Sequence, residues 1–194
     1  MILGITGLTG SGKSAAAGII QKYGFILIDL DLLGHEILAE EHDRLVQIFG
    51  TCFSSGGVII RTKLGKAVFA SPRLRRKLNA FMFPLLKGKT CRLIAMQPAQ
   101  NHIICGALLQ QIGLSSICDL TVCLRAGFKN RRARLKKRHP DLNIRRILQR
   151  LSAQKMIKKL LLKTDILIEN NGTMQELEQK IYKFLQNINE GVYG

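Results

Sequence analysis

Residues 7–14 read Gly-Leu-Thr-Gly-Ser-Gly-Lys-Ser, which satisfies G-x-x-x-x-G-K-[ST] at every fixed position and constrains this chain more than any other segment. The flanks give the pattern its physical meaning. Ile2-Leu3-Gly4-Ile5 is a short apolar run ending at glycines, which predicts a buried strand. Lys13 to Tyr23 carries Ala15, Ala16, Ala17, Ile19 and Ile20 and stops at Gly24, which predicts a helix with a C-terminal glycine. Glycines let backbone N–H groups converge on phosphate oxygens without side-chain clash. The helix aims its positive dipole end at the same anions. Gly7, Gly10, Ser11, Gly12, Lys13, Ser14 and Ala15 are therefore the candidate nucleotide-binding residues. Lys13 can reach the β- and γ-phosphates, and the Ser14 hydroxyl is the candidate ligand for Mg²⁺.

The remaining pattern repeats this alternation. Strands are expected at Phe25–Ile28, His102–Cys105, Leu120–Leu124 and Ile166–Ile168. Helices are expected over Leu32–Phe49, broken near 40–43, over Lys63–Phe69, and from Pro72 onward with Ser71 as N-cap. Pro84 or Gly88 is expected to kink or divide that last helix. Thr51–Gly57 reads as a turn region. Thr173 and Glu176 stand at capping-box spacing before a closing helix that reaches Asn189. Strands apolar on both faces, alternating with helices, imply an α/β fold with a parallel sheet covered on both sides. The chain has 194 residues, enough for one well-packed domain, and no Pro-, Gly- or Ser-rich linker divides it.

The net charge of +17 demands an anionic partner, and its placement is uneven. Residues 1–70 carry six basic and six acidic side chains, whereas 125–163 carry 15 basic and one acidic. That basic block is expected as a helical hairpin turning at His139-Pro140-Asp141, between the fourth and fifth strands. Arg146, Arg150 and Gln154 recur at spacing four and share one helix face, with Ile147 and Leu151 on a neighbouring one. Five cysteines without a CxxC pair or a histidine at zinc-ligand spacing argue for reduced thiols in a cytoplasmic protein. The longest uncharged run, 93–118, is too polar to span a membrane.

Asp29 and Asp31 close the second strand, where open parallel sheets place their ligand crevice. One such carboxylate can cap the next helix, and the other can orient or deprotonate an attacking hydroxyl. Taken together, Thr6–Ser14, Ile28-Asp29-Leu30-Asp31, Phe49-Gly50, Arg61, Leu64-Gly65 and Val68-Phe69 resemble the dephospho-CoA kinase family. So do Arg134, Arg138, Arg150-Leu151-Ser152-Ala153-Gln154 and Asp165–Gly172. The resemblance implies a P-loop kinase fold with a five-stranded parallel core (about 1–30, 100–125 and 164–194), an acceptor-binding helical region (about 31–99) and a basic lid (about 126–163). It implies transfer of the ATP γ-phosphoryl to the ribose 3′-hydroxyl of dephospho-CoA, with Mg²⁺. Asp31, Lys13 and Arg138 take the catalytic roles. Asp31, His35, Arg61, Arg134, Arg150 and Gln154 fall to substrate binding, and the Asn170–Gly172 turn lies by the adenine.

The sequence departs from the family at His35, Phe83, Cys105, Ala107, Gln110 and Gln111, mostly in the acceptor pocket. A P-loop kinase for another small acceptor, or a non-catalytic nucleotide- or RNA-binding protein, therefore stays open. A nucleic-acid partner is not favoured, since Phe128 is the only aromatic between Arg125 and Lys163 and stacking platforms are missing. Kinase chemistry needs only a few arginines; most of the other basic residues are expected on an exposed, solvated face, and the kinase reading does not require their number.

Overall fold

A strand apolar on both faces must be covered on both, and β1 (Ile2–Gly7) is buried from Leu3 onward. The computed structural model describes residues 1–152 and 163–192. They form two compact units, Met1–Ile28 with Pro98–Gly194, and Asp29–Gln97. In the first, β1 is the middle strand of a five-stranded parallel sheet. The order is β2 (Ile26–Asp29), β5 (His102–Cys105), β1, β6 (Leu120–Arg125) and β7 (Ile166–Glu169). Register pairs Ile5 with Cys105 on one side and Thr6 with Cys123 on the other. The phosphate loop thus leaves the central strand at the carboxyl edge of the sheet.

One apolar cluster joins this sheet to α1 (Lys13–Gln21) and α9 (Met174–Asn189) through Leu3, Ile5, Ile20, Val122, Ile181 and Phe184. Each such side chain contributes about 1.5–3 kcal/mol by leaving water. The expected capping box opens α9: Glu176 N–H donates to Thr173 Oγ1 at 3.2 Å, and Glu176 Oε1 reaches back to the Thr173 N–H. The basic block forms the expected hairpin of α7 (Phe128–Arg138) and α8 (Ile144–Ser152). Leu135, Ile147 and Leu151 are buried together at its seam. Lys136 Nζ donates to the Pro140 carbonyl at 2.6 Å and so holds the turn. No helix among the described residues is long and apolar enough to cross a membrane.

The second unit begins at Asp29. Its helices α2 (Leu30–Glu40) and α3 (His42–Phe49) are separated at Glu41, within the expected break. The segment read as a turn holds more structure: a 3₁₀ turn at Thr51–Phe53 and a hairpin of β3 (Ser54–Ser55) and β4 (Val58–Ile59). Gly56 and Gly57 both adopt positive φ at its tip. Two-residue strands carry no alternation, so periodicity could not show them. Helix α4 (Arg61–Ala70) precedes α5 (Pro72–Met96), whose Leu74 N–H donates to Ser71 Oγ at 3.3 Å. Of the two outcomes expected at Pro84 or Gly88, a kink or a division, division does not occur. Helix α5 runs unbroken for 25 residues because Met82, Leu86 and Thr90, one turn apart, are buried against its neighbours α2 and α4. That anchoring outweighs the single backbone bond lost at proline.

Candidate active site

The phosphate loop closes on itself by Ser11 N–H to Leu8 O at 3.0 Å and passes directly into α1. Helix α1 has no side-chain cap and no acidic residue in its first turn. Its leading amides are therefore left for an anion, with the helix dipole behind them. Gly10 and Gly12 sit at φ +79° and +102°. Here glycine is required twice over: L side chains avoid this region, and the space is taken. A Cβ at Gly10 would fall 2.8 Å from the Arg131 carbonyl oxygen, and one at Gly12 would strike the Asn170 side-chain amide.

Those two neighbours brace the loop from outside. Arg131 Nε donates to Thr9 O at 2.8 Å from a buried position, and burial pushes its guanidinium pKa down. Arg134 spans the site: Nη1 approaches the Gly10 and Ser11 carbonyls at 3.4 Å, and Nη2 donates to Asn170 Oδ1 at 3.2 Å and Gly172 O at 3.3 Å. Asn170, only 4 % exposed, donates from Nδ2 to Ser11 O at 2.8 Å. Its own N–H donates to Arg125 O at 2.7 Å, which fixes the turn after β7. Sequence reasoning missed Arg131. Its spacing from Arg134 and Leu135 on α7, three and four residues, was the available signal.

The result is a cleft of about 270 Å³. Lys13, Ser14, Arg134 and Arg138 make its polar wall, and Ala15, Leu135, Met174 and Leu177 its apolar wall, with no carboxylate in the lining. Gly10, Gly12, Asn170, Gly172 and Thr173 complete it. A cationic end beside an apolar slot suits a polyphosphate joined to a planar base. Two of the candidate residues lie outside this lining. Gly7 is packed under the loop against Leu124, and Ser11 Oγ is buried without a hydrogen-bond partner among the described residues. The Ser11 carbonyl accepts from Asn170 Nδ2 and Arg134 Nη1. Lys13 Nζ rests at 3.5 Å from Leu8 O, within the loop it closes.

Of the acceptor candidates, Asp31, His35 and Arg61 belong to the second unit, and Arg134 and Arg150 to the first. Asp29 is the N-cap of α2, accepting from Asp31 N–H at 2.8 Å and Leu32 N–H at 3.2 Å. Asp31 occupies the first turn, exposed, with exposed His35 one turn beyond on the same face. Arg61 is exposed at the start of α4. Arg150 is placed in α8, and Gln154 lies outside the described residues.

For Mg²⁺, the donor chemistry fits. The Ser14 hydroxyl opens onto the cleft beside Lys13. Mg²⁺ is commonly held by one or two protein oxygens together with substrate phosphates and water.

Comparison with known proteins matches this geometry to a family. The family model described as dephospho-CoA kinase matches residues 1–176. The chain is 34 % identical to the dephospho-CoA kinase of Borrelia garinii over 97 % of its own length and 94 % of that relative's. A solved structure from Thermus thermophilus superposes with a TM-score of 0.82 at 26 % identity, covering 96 % of this chain and 97 % of the other. The dephospho-CoA kinase from Campylobacter jejuni, 24 % identical over 98 % of each chain, shares the fold with a TM-score of 0.71. With that family model spanning most of its length and a relative 34 % identical over 97 % of it, the chain belongs to the dephospho-CoA kinase family.

Proposed function

We propose that this chain transfers the γ-phosphoryl group of ATP to the ribose 3′-hydroxyl of dephospho-CoA, giving coenzyme A and ADP in the cytoplasm. The observation that carries the reading is the cleft itself: Lys13 and the uncapped first turn of α1 share it with Arg134 and Arg138. Four negative charges of ATP meet positioned cations and amides there, and phosphoryl transfer relies on such electrostatic positioning. Lys13 and the loop amides hold the β- and γ-phosphates. Arg138 and Arg134 balance charge on the moving phosphoryl group. The apolar wall of Ala15, Leu135, Met174 and Leu177 receives the adenine, beside the Asn170–Gly172 turn. Mg²⁺, held by Ser14 and the phosphates, adds charge neutralisation when bound.

Asp31 takes the proton of the attacking 3′-hydroxyl. Its exposure at the carboxyl edge of β2 supports this, and so does the division of labour with Asp29, whose carboxylate is already committed to the helix cap. His35 and Arg61 hold the acceptor. The test is ADP release in the presence of dephospho-CoA, ATP and Mg²⁺. Asp31→Asn is expected to lower kcat about 10²-fold or more while ATP affinity stays within about twofold. Absence of turnover with dephospho-CoA at saturating ATP, or full turnover in Asp31→Asn, overturns the assignment.

A further inference from the structure

Ser11 N–H donates to Leu8 O at 3.0 Å, which makes Leu8–Ser11 a hydrogen-bonded β-turn with Thr9 and Gly10 at its centre. No non-glycine residue has a positive φ among the described residues, so Thr9 lies on the negative side, while Gly10 sits at +79°. That pair of signs is type II. The commoner type I has negative φ at both central residues and differs by a flip of the peptide between them. Glycine accepts either sign of φ, so Gly10 itself leaves both turns open.

The flip decides what the loop shows to a phosphate. A trans peptide is planar, and its C=O and N–H point in opposite directions. Here Thr9 O is turned toward α7, where Arg131 Nε donates to it at 2.8 Å from a buried position. The Gly10 N–H of the same peptide is therefore turned away from Arg131. Gly10 lines the nucleotide cleft and Arg131 does not. No acceptor among the described residues takes the Gly10 N–H, whereas the Ser11 N–H is spent on the turn. In type II the Gly10 amide is left for a phosphate oxygen. In type I the Thr9 carbonyl would replace it and set a negative dipole end toward the anion.

We propose, on the reading of this cleft as the ATP site, that Arg131 is a positioning residue for the phosphoryl transfer: by holding the Thr9 carbonyl it selects the type II turn and presents the Gly10 N–H to the nucleotide phosphates, without touching the nucleotide. A hydrogen bond to a charged group shifts such an equilibrium by about ten- to a hundredfold. Where the competent turn is only fractionally populated, affinity falls by that fraction. Bound ATP restores the turn, so the loss falls on KM for ATP and leaves kcat in place.

Two substitutions separate the bond from the packing. Arg131→Gln puts an amide nitrogen, and Arg131→Met a methyl group, the same number of bonds from Cα as the arginine Nε, and neither is charged. Arg131→Met is expected to raise KM for ATP, and Kd from a Mg-ATP titration, about tenfold, with kcat within about twofold. Arg131→Gln keeps a neutral donor and is expected to recover at least about threefold of that loss. The turn itself is read by NMR. Carbonyl-¹³C threonine combined with ¹⁵N-glycine selects the amides of Gly7 and Gly10, the two glycines that follow a threonine. Without nucleotide, the Gly10 amide is expected to move or broaden in Arg131→Met while Gly7 keeps its wild-type position, which separates a flipped turn from a misfolded chain. Unchanged ATP affinity in Arg131→Met, equal losses in the two variants, a loss confined to kcat, or a Gly10 amide that does not move overturns the role of Arg131 and leaves the ATP reading standing. Absence of Mg-ATP binding by the wild-type chain overturns both.

Discussion

Asn170→Ala removes the side chain that ties the turn after β7 to the phosphate loop, and the structure sets the size of the effect. Two bonds vanish: Nδ2 to Ser11 O at 2.8 Å, and Arg134 Nη2 to Oδ1 at 3.2 Å. The first is a neutral bond worth about 1 kcal/mol, and the second, to a guanidinium, is worth about 1.5–3 kcal/mol. Arg134 is only half-buried and keeps contacts to Gly10, Ser11 and Gly172, so the lower end applies to it. Ser11 O keeps only the 3.4 Å approach of Arg134. The total is about 2–3 kcal/mol, which for a chain of this size lowers Tm by about 5–10 °C. Because the lost bonds hold the loop in its binding shape, KM for ATP is expected to rise about tenfold, or about 1.4 kcal/mol. Thermal unfolding and an ATP titration at saturating dephospho-CoA measure both. Asn170→Asp keeps the partner for Arg134 but sets an acceptor against the Ser11 carbonyl. It should recover part of the stability and none of the ATP affinity. A Tm within about 1 °C of wild type together with an unchanged KM would refute the bracing role.

Other outcomes follow from single sites. Ile181→Ala, fully buried between α9 and the sheet, should lower unfolding free energy by about 2–5 kcal/mol in a urea titration. Thr173→Ala removes one half of the capping box and should cost about 0.5–2 kcal/mol by the same measurement. Asp165 accepts from Thr121 N–H at 2.7 Å and Thr121 Oγ1 at 2.6 Å, which holds its pKa below the usual carboxylate range. Its stabilisation is therefore complete above the unfolded value near about 4 and is lost as pH falls through the folded value. Thr121→Val should flatten the acid limb of the stability–pH curve, and an unchanged limb would contradict the assignment. Burial, with Asp119 and Asp165 nearby, pushes the Cys118 thiol up to about 12. At pH 8 it should resist alkylation while exposed Cys52 is modified, as read by mass spectrometry of the labelled peptides.

Much of this was legible without coordinates wherever the information is local. The loop motif, the strands, the α9 capping box, the Ser71-Pro72 start of α5 and the hairpin turn near Pro140 each depend on a few consecutive residues and their backbone preferences. Asp29 was the better cap candidate of the two aspartates, and two backbone N–H groups donate to it at the start of α2. The β3–β4 hairpin escaped because strands of two residues have no period. That α5 continues through Pro84 depends on packing along the helix, which its local sequence does not encode.

The basic block shows the boundary most sharply. The sequence alone determined that 15 of the 30 basic residues fall within 39 positions, and that a phosphate loop precedes them by a hundred residues. Only the tertiary structure decided which of those cations serve the loop. Arg131 and Arg134 meet carbonyls more than 120 positions earlier, because α7 lays their side against the phosphate loop while its Leu135 seals the hairpin with α8. Helical periodicity can sort side chains onto faces, but it cannot say which face meets a partner. Contacts between distant segments depend on strand order and helix packing, quantities that no short stretch of residues encodes.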